Sequence, residues 1–437
     1  MSNVLALLKR SSKWVEYAYV VVLVCALTQG PVFKIWWSSA KVSGASISET
    51  YRFTFIAIQI PALVLIGYRM RTSRMRPVPV VLMTCFVSWM WASTLWATSG
   101  RDTVVEATAL VITAAAGLYL ARSFSPVQQM LLVCIAMQPG VIFSYIAVKR
   151  NWELAISEEG HWVGIYFNRN SLAPVAAVGL IAALGLLWVV VSRRSKQWWP
   201  VMSFILIDIA LFDGYVLSRT RSSTSVGAVV AFCLVWACWS VIRLLHRRGI
   251  VTMELVRRYV YFSFVVVAGI GTWILFKFQS TILRWLGEED FFNGRAAIWH
   301  YGWTGFLDRP IFGWGWMSAW KSSIFLKRDL WWTVQGAQFS HSSYIDVLLG
   351  GGLFGAILLL LVLIYGGYSR IESGVLSTAG QWSYSIMFFA LLASTQESFV
   401  NGNHFLWLLL VASVIGCGDF RVETNSDSVT APQAATT

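Results

Sequence analysis

Long apolar runs separated by short polar stretches dominate the chain. A bilayer core about 30 Å thick needs roughly 20 apolar residues per helix. On that ruler the pattern predicts twelve spans, near residues 14–33, 52–68, 78–97, 103–120, 126–148, 170–191, 201–217, 224–244, 260–276, 341–367, 381–399 and 403–418. Asp208 and Asp213 interrupt the seventh, and the twelfth is short. The chain then divides into nine spans over 1–276, a long loop over 277–340, three spans over 341–418 and a Ser/Thr/Ala-rich tail over 419–437 expected to be disordered. The expected fold is an all-α polytopic membrane protein whose extracytoplasmic loop carries amphipathic helices. There is no internal repeat and no inverted pair of broken helices, which weighs against a transporter built from duplicated halves.

Composition agrees with the pattern. Hydrophobic residues make up 57% of the 437 and charged residues 13%, where a soluble domain carries about 25% charged. A soluble enzyme, a disordered chain and a nucleic-acid-binding module are excluded. The net charge of +13 then reads as basic loops facing anionic lipid. Lys9, Arg10 and Lys13 precede the first apolar run, which lacks an A-x-A cleavage site and is expected to be retained. With both termini cytoplasmic, the inner segments hold twice as many Lys and Arg as the short outer loops, which favours this orientation. Cys25, Cys85, Cys134, Cys233, Cys238 and Cys417 lie in apolar runs without C-x-x-C spacing and read as small buried hydrophobes.

The long loop holds eight of the 24 tryptophans. Trp299, Trp303 and Phe306 recur at helical spacing, which predicts a short amphipathic helix lying on the outer leaflet, started after Gly294 and ended by Asp308-Arg309-Pro310. The aromatic loop is either a membrane anchor or a lid over a lipid-borne substrate. Trp285, Trp314, Trp316, Trp320, Trp331 and Trp332 belong to the same reading.

Arg219 and Arg221, in YVLSRTRSSTS, stand on the outer side, where cations are least expected. Such a charge requires a partner, either Asp213 or an anionic ligand. Arg295 lies at the predicted helix start, where free N–H groups and a planar guanidinium both suit phosphate oxygens. His341, at the mouth of the tenth span, is a candidate proton carrier, although His161, His300 and His404 share its side. No two histidines have metal-ligand spacing, and Glu288-Glu289-Asp290 reads as a solvated loop, so no metal is expected.

These residues lie in blocks that resemble the O-antigen ligase and polymerase family of bacterial polysaccharide assembly. NGRAAIWHYGWTGFLDRPIFGWGW resembles the family's Gly-Arg, Ile/Leu-Trp, Pro, Gly-x-Gly signature, and QFSHSSYIDVLLGGGLFG the following His and Gly-Leu-x-Gly block. LSRTRSSTS resembles its Ser-Arg block, GIYFNRNSLAP its Asn-containing stretch, and STQESFV its late Glu-Ser element. The order holds from about residue 160 to 415, while the first five spans match only in hydropathy. Ser342 stands where the family usually has Asn. Arg221 fits the Ser-Arg-small pattern better than Arg219, and Arg219 stays open.

The resemblance implies a metal-independent, inverting glycosyltransferase without cofactor, in the bacterial inner membrane with its site on the outer face. The donor would be a glycan on a polyprenyl diphosphate such as undecaprenyl diphosphate. The acceptor would be another glycan, a lipid or a protein anchor. Membrane lipids, and no nucleic acid, are the other expected partners. His341 would act as base, Arg221 and Arg295 as diphosphate stabilisers, and Arg219, Asn170, Trp299 and Glu397 as substrate-binding residues. The competing reading is a transporter or flippase of lipid-linked glycans, using Asp208, Asp213 and Asp346 as proton relays. A non-catalytic scaffold of an envelope complex is a third.

Overall fold

The computed structural model describes residues 2–32, 49–69, 77–192, 197–252, 254–255, 295–322, 325, 339–372 and 377–416. The expected ninth span (260–276), the acidic run 288–290, Trp285, Trp331, Trp332 and the tail 419–437 lie outside the described residues.

The described residues form helices and loops, with a single isolated β-bridge between Ile156 and Trp162. In chain order the helices are α1 (Ser2–Leu27), α2 (Glu49–Arg69), α3 (Pro77–Ala92), α4 (Gly100–Ser123), α5 (Pro126–Lys149), α6 (Arg169–Ser192), α7 (Trp199–Thr220), α8 (Ser223–Arg247), α9 (Arg295–Asp308), α10 (Ser343–Glu372), α11 (Thr378–Ala393) and α12 (Phe405–Ile415). Among the described residues, seven segments are long and apolar enough to cross a membrane: 77–95, 100–123, 126–149, 169–192, 199–220, 223–247 and 343–369. The protein is a polytopic, all-α membrane protein. Boundaries are set by local chemistry. Before α5 the Ser125 hydroxyl accepts from Gln128 N–H, and the Gln128 side chain accepts from Ser125 N–H, with Pro126 opening the helix.

Two helices centre the bundle. α6 packs against α5, α7 and α8, and its buried Ala173, Ala176, Ala177, Gly179, Ala182 and Ala183 let neighbouring backbones approach closely. α12 is apolar all round and buried along its whole length between α4, α10 and α11. Its 11 residues rise only about 16 Å at 1.5 Å each, half of a bilayer core. The expected spans at 381–399 and 403–418 are corrected accordingly. α11 ends at Ala393, and residues 394–404 fold back as a loop, with Ser394, Phe399 and Val400 buried. Non-helical backbone of this kind is stable at membrane depth only when the protein itself covers and hydrogen-bonds it.

α10 is also interrupted. Gly352 has φ 64° and ψ −164°, a region open essentially to glycine alone. The loop after α9 docks into this break. Trp314 N–H donates to Leu349 O (2.6 Å), Gly315 N–H to Gly350 O (3.1 Å) and Leu353 N–H to Pro310 O (2.7 Å). Trp89 Nε1 donates to Gly351 O. The Gly-x-Gly and Gly-Gly-Gly sequences are therefore two halves of one backbone contact. The same loop is fastened to the α3–α4 turn, where Trp316 N–H donates to Ser93 Oγ and Ser99 N–H to Ser318 Oγ.

This docking changes the reading of the aromatic loop. Trp314, Trp316 and Trp320 are buried in protein, so they act neither as lipid anchors nor as a mobile roof. The expected helix runs from Arg295 to Asp308, after Gly294 and up to Arg309-Pro310. Trp303 is exposed, whereas Tyr301 and Phe306 are buried, and α9 packs with Ile298 partly buried against the Leu349 cluster of α10.

A Cβ at Gly352 would lie 2.1 Å from Ile311 O, whereas one at Gly367 meets nothing within 4 Å. Gly352→Ala therefore destabilises the fold by about 1–3 kcal/mol from backbone strain alone and lowers the thermal unfolding midpoint in detergent. Gly367→Ala leaves the midpoint unchanged or raises it. Equal behaviour of the two variants would contradict the docked break.

Candidate functional site

One end of the bundle gathers the α5–α6 loop, the N-termini of α6, α8, α9 and α10, the C-terminus of α7 and the α11–α12 loop. They surround a cavity of about 470 Å³ lined by Glu159, Arg169, Asn170, Arg295, Ile298 and His341. The cavity thus brings together Arg295, His341 and Asn170 among the residues expected from sequence.

Glu397 lies behind two of them. One carboxylate oxygen accepts from Arg295 Nη2 at 2.5 Å, and the other lies 3.3 Å from His341 Nδ1. Arg295 and Glu397 are nearly inaccessible, so the pair is charge-assisted and little screened. Glu397 was expected to bind substrate; its contacts here are to the two candidate catalytic side chains.

The loop bearing Glu397 is nailed to α10. Ser343 Oγ donates to Glu397 O (3.1 Å) and accepts from Phe399 N–H (2.8 Å) and Val400 N–H (3.0 Å). Asp346 accepts from Ser340 N–H (3.0 Å) and from the Ser398 hydroxyl. Asp346, weighed above as a proton relay, is occupied as a clamp. His341 has φ 54°, an uncommon backbone for a residue with a Cβ. The Ser340 hydroxyl holds it, donating to Ser342 O and accepting from Ser342 N–H. His341 thus follows a backbone kink whose ends are both tied.

Trp299 is half-buried and donates from Nε1 to Ser340 O (3.0 Å), so it props the histidine turn and does not line the cavity. Asn170 Oδ1 accepts from Ser222 Oγ at 3.2 Å, linking α6 to the α7–α8 turn that carries Arg219 and Arg221. Both arginines are exposed, and neither lines the cavity. Arg219 lies over the Trp162 ring at 5.4 Å. Arg221 caps α7 with φ 49°. Asp213 partners neither of them among the described ion pairs and instead accepts from Gln138 Nε2 at 3.1 Å. His300 is exposed on α9, and His404 caps α12 by accepting from Leu406 N–H.

Sequence reasoning missed Arg169 as a site residue. It opens α6 and lines the cavity. Its Nη1 lies 2.7 Å from His161 Nδ1, and that nitrogen is 2.9 Å from Glu159 Oε2. The available signal was a cation in the FNRN stretch, next to Asn170. Burial, and then the Arg169 charge, hold the His161 imidazole below its ordinary range; Glu159 opposes this and Arg221 adds to it.

Two outcomes follow. The unfolded chain protonates His161 near its ordinary value of about 6.5, while the folded protein resists. Stability linked to His161 is therefore present above that pH and lost as pH falls below it. The thermal midpoint of wild type drops between pH 7.5 and 5, and His161→Asn flattens part of that drop; an unchanged slope would contradict it. Glu397→Ala leaves the buried Arg295 charge unpaired and destabilises by about 3–5 kcal/mol, whereas Arg295→Met with Glu397→Leu recovers much of the loss. Additive losses in the double variant, read from melting in detergent, would contradict the pairing.

Residues 206–360 match the family model of the O-antigen ligase. Over 219 residues the chain is 24% identical to the exopolysaccharide production protein ExoQ of Rhizobium meliloti (strain 1021), an alignment covering 48% of this chain and 47% of that protein. The chain thus spans about half the length of the curated relative it matches. The matched segment contains the α7–α8 turn, Arg295, the Gly-x-Gly loop, His341 and the broken part of α10. Through this segment, and in accord with the blocks read from its sequence, the chain is similar to the O-antigen ligase family.

Proposed function

We propose that this protein is a metal-independent, inverting glycosyltransferase of the bacterial inner membrane. It moves a glycan from a polyprenyl diphosphate to an acceptor hydroxyl on another glycan, a lipid or a protein anchor. The cavity faces the outer side, and both termini are cytoplasmic, in keeping with the basic inner loops. The observation that carries this reading is the Arg295–Glu397–His341 cluster on the cavity wall.

Glu397 accepts a hydrogen from His341 Nδ1, which leaves the Nε2 lone pair as the proton acceptor. The acceptor hydroxyl gives its proton to Nε2 as its oxygen bonds to the sugar C1. The C1–O bond to the diphosphate breaks on the opposite face, and the diphosphate departs with the electron pair. Arg295 on the cavity wall, with Arg221 on the adjoining α7–α8 turn, stabilises that growing charge. Direct displacement needs no covalent intermediate, so no nucleophilic Ser or Cys is required. The name of the relative supports a product in the exopolysaccharide class.

The test is purified protein with its own lipid-linked repeat, with and without a second acceptor, followed by sizing of the products. Chain growth marks a polymerase, and transfer to the second acceptor a ligase. Movement of unaltered glycan across a vesicle bilayer would contradict the proposal. His341→Ala lowers the transfer rate by about 10²–10⁴, and activity persists in EDTA. Full activity of His341→Ala or a strict Mg²⁺ requirement would each overturn the assignment.

A further inference from the structure

The two arginines lining the cavity differ in how their charge is compensated. Arg295 meets a nearly inaccessible carboxylate at 2.5 Å. Arg169 meets an imidazole nitrogen at 2.7 Å and, at 3.9 Å, a carboxylate on a side chain that is 70% exposed. An exposed carboxylate at that range is screened by solvent and offsets little charge. His161 is held below its ordinary protonation range, so it is neutral at neutral pH and contributes no opposing charge. The positive potential of the empty cavity therefore comes from Arg169 more than from Arg295. Among the described residues, the hydrogen bonds and ion pair of Arg169 run through Nη1 alone, which leaves the Nε–Nη2 edge available as a two-pronged donor to phosphate oxygens. Its place at the start of α6 adds the positive end of the helix dipole.

We propose that Arg169 is a diphosphate-binding residue of this cavity, parked on His161 and Glu159 when the site is empty and transferred to the donor's phosphoryl oxygens when it fills. His161 acts as a latch: it orders the guanidinium beside the cavity while holding it less tightly than a phosphate does. The inference rests on the glycosyltransferase reading above and adds to it the group that gives Arg295 a partner across the donor. Glu397 keeps Arg295 engaged with His341, so the added grip on the leaving group comes from α6.

The test uses the full-length protein in detergent micelles, with farnesyl diphosphate as probe, farnesol as control and calorimetric titration as readout. Wild type binds the diphosphate and not the alcohol. Arg169→Gln weakens diphosphate binding by about ten- to hundredfold, as expected for loss of a charged hydrogen-bond donor, and Arg169→Lys falls between the two. His161→Ala releases the latch and binds as well as wild type or more tightly. In glycan transfer, Arg169→Gln raises the donor KM more than it lowers kcat. If wild type does not distinguish farnesyl diphosphate from farnesol, the glycosyltransferase reading fails together with the inference. If wild type binds and Arg169→Gln binds equally well, the inference alone fails. It also fails if Arg169→Gln and His161→Ala weaken binding alike, because Arg169 is then a strut of the α5–α6 loop.

Discussion

A single carboxylate organises the cavity end of this protein. Glu397 contacts Arg295 and His341, which lie 102 and 56 residues away in sequence on different elements. Burying one charge there would be costly; burying a matched pair with a histidine on the second oxygen is stable only if all three backbones are fixed. The rest of this end does that fixing. Ser343 and Asp346 clamp the Glu397 loop to α10, and Ser340 holds the turn that presents His341.

The broken helix and the short helix serve the same end. α12 stops well short of a full crossing, and the space beyond it is filled by the loop that carries Glu397. Gln59 and Thr113 hold that loop from outside it, with Gln59 Nε2 donating to Asn403 Oδ1 at 2.8 Å, Asn403 N–H donating to Thr113 Oγ1 at 3.0 Å and Thr113 Oγ1 donating to Gln59 Oε1 at 2.8 Å. α10 is broken so that the loop after α9 can pair with its backbone, which fixes α9 and Arg295 against the His341 turn. Polar backbone within a bilayer is affordable here because protein groups, not water, complete its hydrogen bonds.

The long spans were legible because transfer from water to lipid acts on each apolar run separately, without knowledge of its neighbours. Arg295, His341 and Asn170 were picked out because their blocks resemble a known family, and all three line the cavity. The function of Glu397 as a hub was not, because it depends on contacts between residues distant in sequence. Arg169 was hidden beside Asn170, since a cation at the start of a helix looks the same whether it faces a cavity or solvent. The tryptophans misled for a related reason. Trp314, Trp316 and Trp320 have the composition of an interfacial belt, but the Trp314 and Trp320 rings pack in a cluster with Tyr301 and Phe325, and Trp316 is buried against Gly350 of α10. On α9, Gly302 lets Ile345 approach, which turns the face that contains Tyr301 inward and leaves Trp303 outside.

The account is tested most directly by an experimental structure of the protein in a lipid nanodisc with a non-cleavable phosphonate analogue of a polyprenyl-diphosphate sugar. It predicts the diphosphate in the cavity between α6 and α9, hydrogen-bonded to Arg295, with the sugar C1 facing His341 Nε2 and Glu397 still joined to Nδ1. A headgroup seated at the other end of the bundle, or outside this cavity with Arg295 and His341 untouched, would contradict it.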